Sequence, residues 1–123
     1  MKVRSEYEEQ KSVFAWSEIS VREYPELELM QGSLNGVRLT IGQAVKAKKA
    51  GMKKGYPDIF LPVARHNYHG LYIEMKRRKG GRMSEEQIEY FEKLTEQGYL
   101  CQECSGSDRA ITTLKWYLSK ESK

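Results

Sequence analysis

The pattern of apolar and polar positions predicts helices and strands that alternate along one domain. Capping-box sequences beginning at Ser5 and Ser84 mark two helix starts, and residues 71–76 have the spacing of a strand. In chain order, the predicted elements are a helix from residue 5 to before residue 24, a short strand at 27–30, a loop at 31–36, a helix at 40–50, a strand at 58–63, a turn at 66–70, a strand at 71–76, a helix from 84 to 98, a strand at 99–103 and a helix from 108 to about 119. This order predicts an α/β fold, a mixed central β-sheet flanked by helices, over a single domain at residues 1–123.

The strand at residues 71–76 carries an acid and a lysine on one face. Side chains alternate between the faces of a strand, so Tyr72, Glu74 and Lys76 share a face. The turn at 66–70 makes residues 58–76 a β-hairpin, which brings Asp58 back to the far end of the partner strand, near Lys76. We therefore expect Asp58 to meet the Glu74–Lys76 pair.

Charge along the chain makes these acids unusual. Residues 31–82 contain twelve Lys and Arg but only two acids, Asp58 and Glu74, although the whole chain has a net charge of +4. A basic segment of this kind favours a polyanionic partner such as nucleic acid. Two carboxylates within it suit Mg²⁺, which prefers oxygen ligands and retains several waters. The alternative is structural, since a Glu–Lys pair on one strand face and a Pro-Asp at a strand start are common without chemistry.

Other features narrow the class of protein. No apolar run approaches the roughly 18 residues of a membrane span, and residues 1–10 are too polar and acidic for a signal peptide, so we expect an intracellular, soluble protein. Cys101 and Cys104 form a C-x-x-C that, with His66 and His69, could supply zinc ligands. Their predicted places, on a strand and at a hairpin tip, favour free thiols instead.

Three strings in the chain resemble the VRR-NUC family, the virus-type replication-repair nucleases of the PD-(D/E)XK superfamily. They are Gly51–Pro62 with Pro57-Asp58, Tyr68–Lys76 with Glu74-Met75-Lys76, and Gly80–Gln87. The resemblance covers nearly the whole chain and is typical of a stand-alone member. It implies a restriction-endonuclease-like core and an endonuclease that depends on Mg²⁺ or Mn²⁺.

The resemblance also implies roles for individual residues. Asp58 and Glu74 match metal ligands, the Met75 backbone carbonyl a further ligand, and Lys76 the catalytic lysine. Family members carry an acid on the first helix four residues before a glutamine. Glu6 before Gln10 fits this, making Glu6 a further catalytic and metal-binding candidate and Gln10 its supporting neighbour. Glu8 and Glu9 remain rivals, and Glu8 also fits the capping box of Ser5.

A glutamine after the E-x-K strand faces the active site in the family, and Gln87 holds that place. Gln87 is also the capping-box partner of Ser84, and we expect the two roles to require different side-chain positions. Asn35 and Arg38 lie in an N-G-x-R-like stretch that implies substrate contact, although Val37 stands where the family has a second glycine. The expected DNA-binding residues are Asn35, Arg38, Lys53, Lys54, Arg77, Arg78, Lys79 and Arg82.

Stand-alone relatives imply a homodimer that resolves branched DNA, most closely Holliday junctions. Flap- or fork-directed cleavage and an inactive DNA-binding module remain the alternatives. The aromatic residues Phe14 and Trp16 of the first helix fit either the core or a dimer face, and we expect the core.

Overall fold

The computed structural model describes residues 2–120, and within them helices flank a mixed four-stranded sheet. The elements are α1 (Glu6–Ser20), a 3-10 helix (Pro25–Leu29), β1 (Gln31–Gly32), α2 (Ile41–Lys49), β2 (Ile59–Leu61), β3 (Leu71–Lys76), α3 (Glu85–Glu96), β4 (Leu100–Ser105) and α4 (Ser107–Leu118). The strands lie in the order β1-β2-β3-β4. The predicted α/β fold class is confirmed.

The register of the sheet decides which side chains meet. Strand β2 runs antiparallel to β3, with Ile59 opposite Ile73, and β4 runs parallel to β3. The hairpin between β2 and β3 closes at His66 and Asn67, whose φ angles of 51° and 68° are left-handed. Two successive positive φ values are typical of the tight turns whose twist matches antiparallel strands. The predicted hairpin is confirmed.

The core lies between β3 and the helices α1 and α4. Every residue of β3 is buried, as expected for a central strand covered on both faces. Val13 of α1 and Leu114 of α4 are fully buried with it. Phe14 and Trp16 pack against this cluster, so the core assignment of these aromatics is confirmed.

The predicted strand at residues 27–30 is wrong. Pro25 begins a 3-10 helix instead, because its fixed φ suits a first helical turn and its missing N–H costs nothing there. Residues Gln31 and Gly32, expected in a loop, form the short edge strand against β2. The two-residue length of β1 explains why no alternation reveals it.

Two smaller predictions concern the cysteines and the membrane. Cys101 and Cys104 are free thiols, and no zinc-like cluster of three His, Cys, Asp or Glu side chains occurs among residues 2–120. Within the same range, no helix has the length and apolar character needed to cross a membrane.

Candidate active site

The fold brings Asp58, Glu74 and Lys76 together at the end of the β2–β3 hairpin. The β2–β3 register, extended by one residue beyond Ile59 and Ile73, places Asp58 beside Glu74 rather than near Lys76 as predicted. All three side chains are buried, with 7%, 1% and 3% of their surface exposed. Buried charges without partners are strongly disfavoured, so their contacts decide what this cluster can do.

Asp58 is held by β3 and by the residue that follows β1. Its Oδ2 accepts a hydrogen bond from the Met75 N–H at 2.8 Å, and its own carbonyl accepts one from the Ser33 N–H at 2.7 Å. The N–H and C=O of one strand residue point to the same side. The Met75 carbonyl therefore faces the Asp58 side of β3, while the Lys76 carbonyl faces β4, where it accepts from Gly106.

Lys76 lies among three acceptors. Its Nζ is 3.0 Å from Gln87 Oε1, 3.5 Å from Glu74 Oε2 and 3.8 Å from Glu6 Oε1. Sequence spacing alone accounts for the Glu74 contact, whereas Gln87 and Glu6 come from helices α3 and α1. The arrangement holds the lysine amine at a defined point beside the two carboxylates.

Gln87 performs its capping and its site contacts in a single side-chain position. Its Oε1 accepts hydrogen bonds from the Ser84 N–H at 2.8 Å and from Lys76 Nζ, while its Nε2 donates to Glu74 Oε2 at 2.9 Å. The expectation that the two roles need different positions is therefore wrong. One carbonyl oxygen has two lone pairs, and here one serves the capping box and the other serves the lysine.

The three acids of α1 have separate environments. Glu8 closes the capping box with Ser5. Glu9 is fully buried against Arg78 and the Ser107 N–H. Glu6, with 39% of its side chain exposed, is the acid that reaches Lys76.

Gln10 contacts the site indirectly, through the backbone of Ser33. Its Nε2 donates to the Ser33 carbonyl at 3.4 Å, and the Ser33 N–H donates in turn to the Asp58 carbonyl. The predicted i, i+4 relation of Glu6 and Gln10 thus places both on the side of α1 that faces the site, with Gln10 acting on the backbone that holds Asp58.

Burial and mutual repulsion shift the protonation of the carboxylates. Burial raises the pKa of Asp58, partly offset by hydrogen bonding and by the positive charge of Lys76. Burial also raises the pKa of Glu74, and the neighbouring charge of Asp58 raises it further, against the opposing effect of Lys76. Two carboxylates in one dry site resist simultaneous ionisation.

One atom of the cluster lacks a partner. Among residues 2–120, Glu74 Oε1 is the single buried side-chain nitrogen or oxygen that receives no hydrogen bond while both carboxylates are ionised. When one of them is protonated, Asp58 and Glu74 hydrogen bond to each other. No three His, Cys, Asp or Glu side chains converge as a metal-holding group in that range, so Glu6 does not join Asp58 and Glu74 in a ready three-carboxylate set. The cluster offers two carboxylates, one oxygen of which accepts no hydrogen bond, and Asp58 borders a pocket that Ser33 and Tyr72 also line.

The expected DNA-binding residues divide into free and occupied side chains. Asn35 donates to the carbonyls of Lys53 and Tyr56 at 3.3 and 3.0 Å, which joins two loops. Arg78 bonds Glu9 at 2.9 Å and Asp108 at 3.1 Å, and Lys54 lies 3.6 Å from Glu86. The members of the expected set that are exposed and form no ion pair with any residue from 2 to 120 are Arg38, Lys53, Arg77, Lys79 and Arg82.

Sequence reasoning missed how the loop before Asp58 docks. Gly55 has a φ of +86°, and a Cβ there would lie 2.7 Å from Glu86 Cβ. A glycine is therefore required for the loop to pack on the start of α3, next to Gln87. The signal available in the sequence is the glycine two residues before Pro57-Asp58.

An aromatic wall beside the carboxylates was also missed. The Phe60 and Tyr72 rings stack at 4.3 Å, and the Tyr56 and Tyr72 hydroxyls lie 2.9 Å apart. Tyr72 shares a strand face with Glu74, and Tyr56, Phe60 and Tyr72 line one pocket together with Asp58. Strand alternation correctly placed Tyr72 on the face of Glu74, but no local pattern indicated that Phe60 and Tyr56 pack on it.

Comparison with known proteins identifies the family of this chain. A family model described as the VRR-NUC domain matches residues 2–108. A solved structure named VRR_NUC domain protein is similar to this chain at 31% sequence identity and a TM-score of 0.77, covering 96% of this chain and 91% of that one. No curated protein gave a significant match. Because the family model spans most of the chain, this protein belongs to the VRR-NUC family of nucleases.

Proposed function

We propose that this protein is a Mg²⁺- or Mn²⁺-dependent endonuclease that hydrolyses phosphodiester bonds in branched DNA, with Holliday junctions as the preferred substrate. The observation that carries the metal dependence is the buried Asp58–Glu74 pair with one unpartnered carboxylate oxygen, Glu74 Oε1. Metal-free, such a pair is costly. A divalent cation offsets both the repulsion and the missing contact.

The residues present fit a hard cation. Asp58, Glu74 and the Met75 carbonyl are oxygen ligands of the kind Mg²⁺ and Mn²⁺ take. Glu6 lies on the Lys76 side of the site and would act through water rather than as a direct ligand. When bound, the cation supplies Lewis-acid stabilisation of phosphate charge and lowers the pKa of a water.

Gln87 positions Lys76, the hydrogen-bond donor of the site. Gln87 holds both the Lys76 amine and Glu74 Oε2, so the distance between amine and carboxylate is fixed before substrate arrives. During hydrolysis the water oxygen bonds to phosphorus and one P–O ester bond breaks; the water proton passes to solvent, and the leaving oxygen takes a proton from solvent. The Lys76 ammonium is an N–H donor that orients the attacking water or stabilises the negative charge of the phosphate.

The basic surface beside this site suits the DNA backbone. Arg38, Lys53, Arg77, Lys79 and Arg82 are exposed and free of ion pairs within residues 2–120. Their contacts with phosphates would position the strand without reading sequence. We take Arg78 out of this set, because its guanidinium is already bonded to Glu9 and Asp108.

A homodimer is part of the proposal on the analogy of stand-alone relatives. A four-way junction has approximate twofold symmetry, and two copies of one site related by a twofold axis match it. Flap or fork cleavage is the second candidate and needs only one site per substrate. Solution mass, measured by light scattering with and without junction DNA, separates the two arrangements.

The proposal is tested by cleavage of synthetic four-way junctions, flaps, forks and linear duplexes in Mg²⁺ or Mn²⁺. We expect junctions to be cut fastest and Lys76→Ala to abolish cleavage. Arg22→Ala, at an exposed position beyond the C-terminal end of α1 and therefore far along the helix from Glu6, is the control. If no DNA is cut, or if Lys76→Ala cuts as fast as the parent, the enzyme proposal fails and an inactive DNA-binding module takes its place. Faster cleavage of flaps or forks than of junctions would move the proposal to the second candidate.

A further inference from the structure

A cleft of about 640 Å³ opens next to the candidate active site. Glu6 and Tyr7 of α1 line one side, Val37 and Arg38 the second, and Arg77 the third. Glu6 is also the residue 3.8 Å from Lys76 Nζ, and Arg77 directly follows that lysine. Glu6 is therefore shared by this cleft and the candidate active site.

The cleft combines apolar and cationic surface. Tyr7 is 46% exposed and Val37 36% exposed, although neither contributes to the core. Arg38 and Arg77 are exposed at its edge, and neither forms an ion pair with any residue from 2 to 120. The carboxylate of Glu6 is partly neutralised by Lys76, so the arginines dominate the charge of the cleft.

This combination matches one chemical unit of DNA. A nucleotide has an aromatic base and an anionic phosphate, and arginine binds phosphate through paired N–H donors. In a continuous duplex the base faces are stacked and hidden, whereas an unpaired base presents a face to an aromatic side chain. The cleft volume lies within the range of sites that hold small molecules.

We propose that this cleft binds one unpaired nucleotide of the strand that enters the active site, with Tyr7 stacking on its base and Arg38 and Arg77 contacting its phosphates. The inference rests on the proposed nuclease function and deepens it. It makes preference for branched DNA a property of each single subunit, because branch points supply unpaired nucleotides next to paired ones. A contact with backbone phosphate alone is the competing outcome.

The test compares the affinity of the full chain for two DNAs of equal length, one with a short unpaired flap and one fully paired. Binding is measured by fluorescence anisotropy in EDTA, so that no strand is cut. We expect Tyr7→Ala to weaken flap binding about tenfold, the size typical of one lost base–aromatic stack, and to leave duplex binding nearly unchanged. Tyr7→Phe keeps the aromatic face and should bind the flap like the parent.

Control variants distinguish base stacking by Tyr7 from phosphate contacts and from nonspecific effects of changing α1. Ile19→Ala, at an 81% exposed position on the same helix, should change neither affinity, and Arg38→Ala or Arg77→Ala should weaken binding to both DNAs. Equal losses on flap and duplex for Tyr7→Ala, or flap binding by Tyr7→Ala that matches the parent, would overturn the inference. Failure of the parent to cut four-way junctions as well as these two DNAs in Mn²⁺ would instead remove the nuclease proposal and leave this binding comparison readable.

Discussion

Glu9 and Glu74 are both buried glutamates, but their surroundings differ. Glu9 accepts hydrogen bonds from the Ser107 N–H at 3.1 Å and from two nitrogens of Arg78, and Arg4 lies 3.6 Å away. Glu74 has one oxygen held by Gln87 and Lys76 and the other unpartnered. The first carboxylate is satisfied by the chain itself, and the second is not.

The protonation of the two residues follows from these contacts. Burial alone would raise the pKa of Glu9, but hydrogen bonds from Ser107 and Arg78 and the positive charge of Arg78 leave it below its ordinary value. Burial and the charge of Asp58 raise the pKa of Glu74. A perturbed, under-satisfied acid in a small protein points to function, whereas a fully paired one points to structure.

The largest expected difference between the Glu74 site and Glu9 is in the rate of DNA cleavage. Asp58→Asn, which removes a ligand beside Glu74, is expected to lower the cleavage rate about a thousandfold, since metal stabilisation of transition-state charge is worth several kcal/mol. Glu9→Gln should lower it less than about tenfold, because Glu9 has no contact with Lys76 or Glu74 among its hydrogen bonds. Single-turnover cleavage of one junction measures both, and equal losses would contradict the division.

The second test uses pH in the absence of metal. The folded state holds a proton on Glu74 that the unfolded state releases above the ordinary glutamate pKa of 4.5, so the free energy of unfolding falls as pH rises. The fall is at most about 1.4 kcal/mol per pH unit. Acids with lowered pKa values, such as Glu9, contribute stability that is lost only at lower pH, below this window.

Urea unfolding in EDTA at about pH 5.5 and about pH 8 measures this effect. We expect the parent to lose stability over that interval and Glu74→Gln to lose much less, because the amide does not titrate. A parent that gains stability with rising pH, relative to Glu74→Gln, would show that Glu74 is ionised and satisfied without metal.

The third test addresses the structural acid. Glu9→Gln should lower the free energy of unfolding by about 2 kcal/mol, since it weakens hydrogen bonds to a buried charge. Glu18→Gln, on the exposed side of the same helix, is the matched control and should stay within about 0.5 kcal/mol of the parent. A Glu9→Gln variant as stable as that control would remove Glu9 from the structural role.

The smallest effect on cleavage is expected at the capping box of α3, formed by Ser84 and Gln87. Gln87→Ala removes the contacts with Lys76 and Glu74 and should lower cleavage about tenfold, as for residues that orient metal ligands. Ser84→Ala retains the backbone N–H that bonds Gln87 Oε1, so it should cost about 1 kcal/mol of stability and little activity. Activity lost equally in both variants would show that the cap, not Gln87, organises Lys76.

Local rules predict much of this molecule. The capping boxes at Ser5 and Ser84 form as expected, because their partners lie three residues away. The charge pattern singles out Asp58 and Glu74, because they are the only two acids among residues 31–82. The short strand β1 could not be found this way, because two residues carry no period and its pairing depends on β2.

Contacts between distant segments could not be predicted either. Glu9 meets Ser107 across 98 positions of the chain, and a glycine is required at Gly106, because its φ is +91° and a Cβ would lie 3.0 Å from Arg78 Cγ. Likewise, the single side-chain position that lets Gln87 cap α3 and hold Lys76 follows from where the fold places the first turn of α3. These features depend on tertiary packing, which one sequence does not encode in any local pattern.

Calorimetric titration of the protein with Mn²⁺ tests the central claim most directly. We predict binding by the parent and by Lys76→Ala and Glu9→Gln, and loss of binding in both Asp58→Asn and Glu74→Gln. A parent that binds no Mn²⁺, or Asp58→Asn and Glu74→Gln variants that bind it as tightly as the parent, would contradict the account.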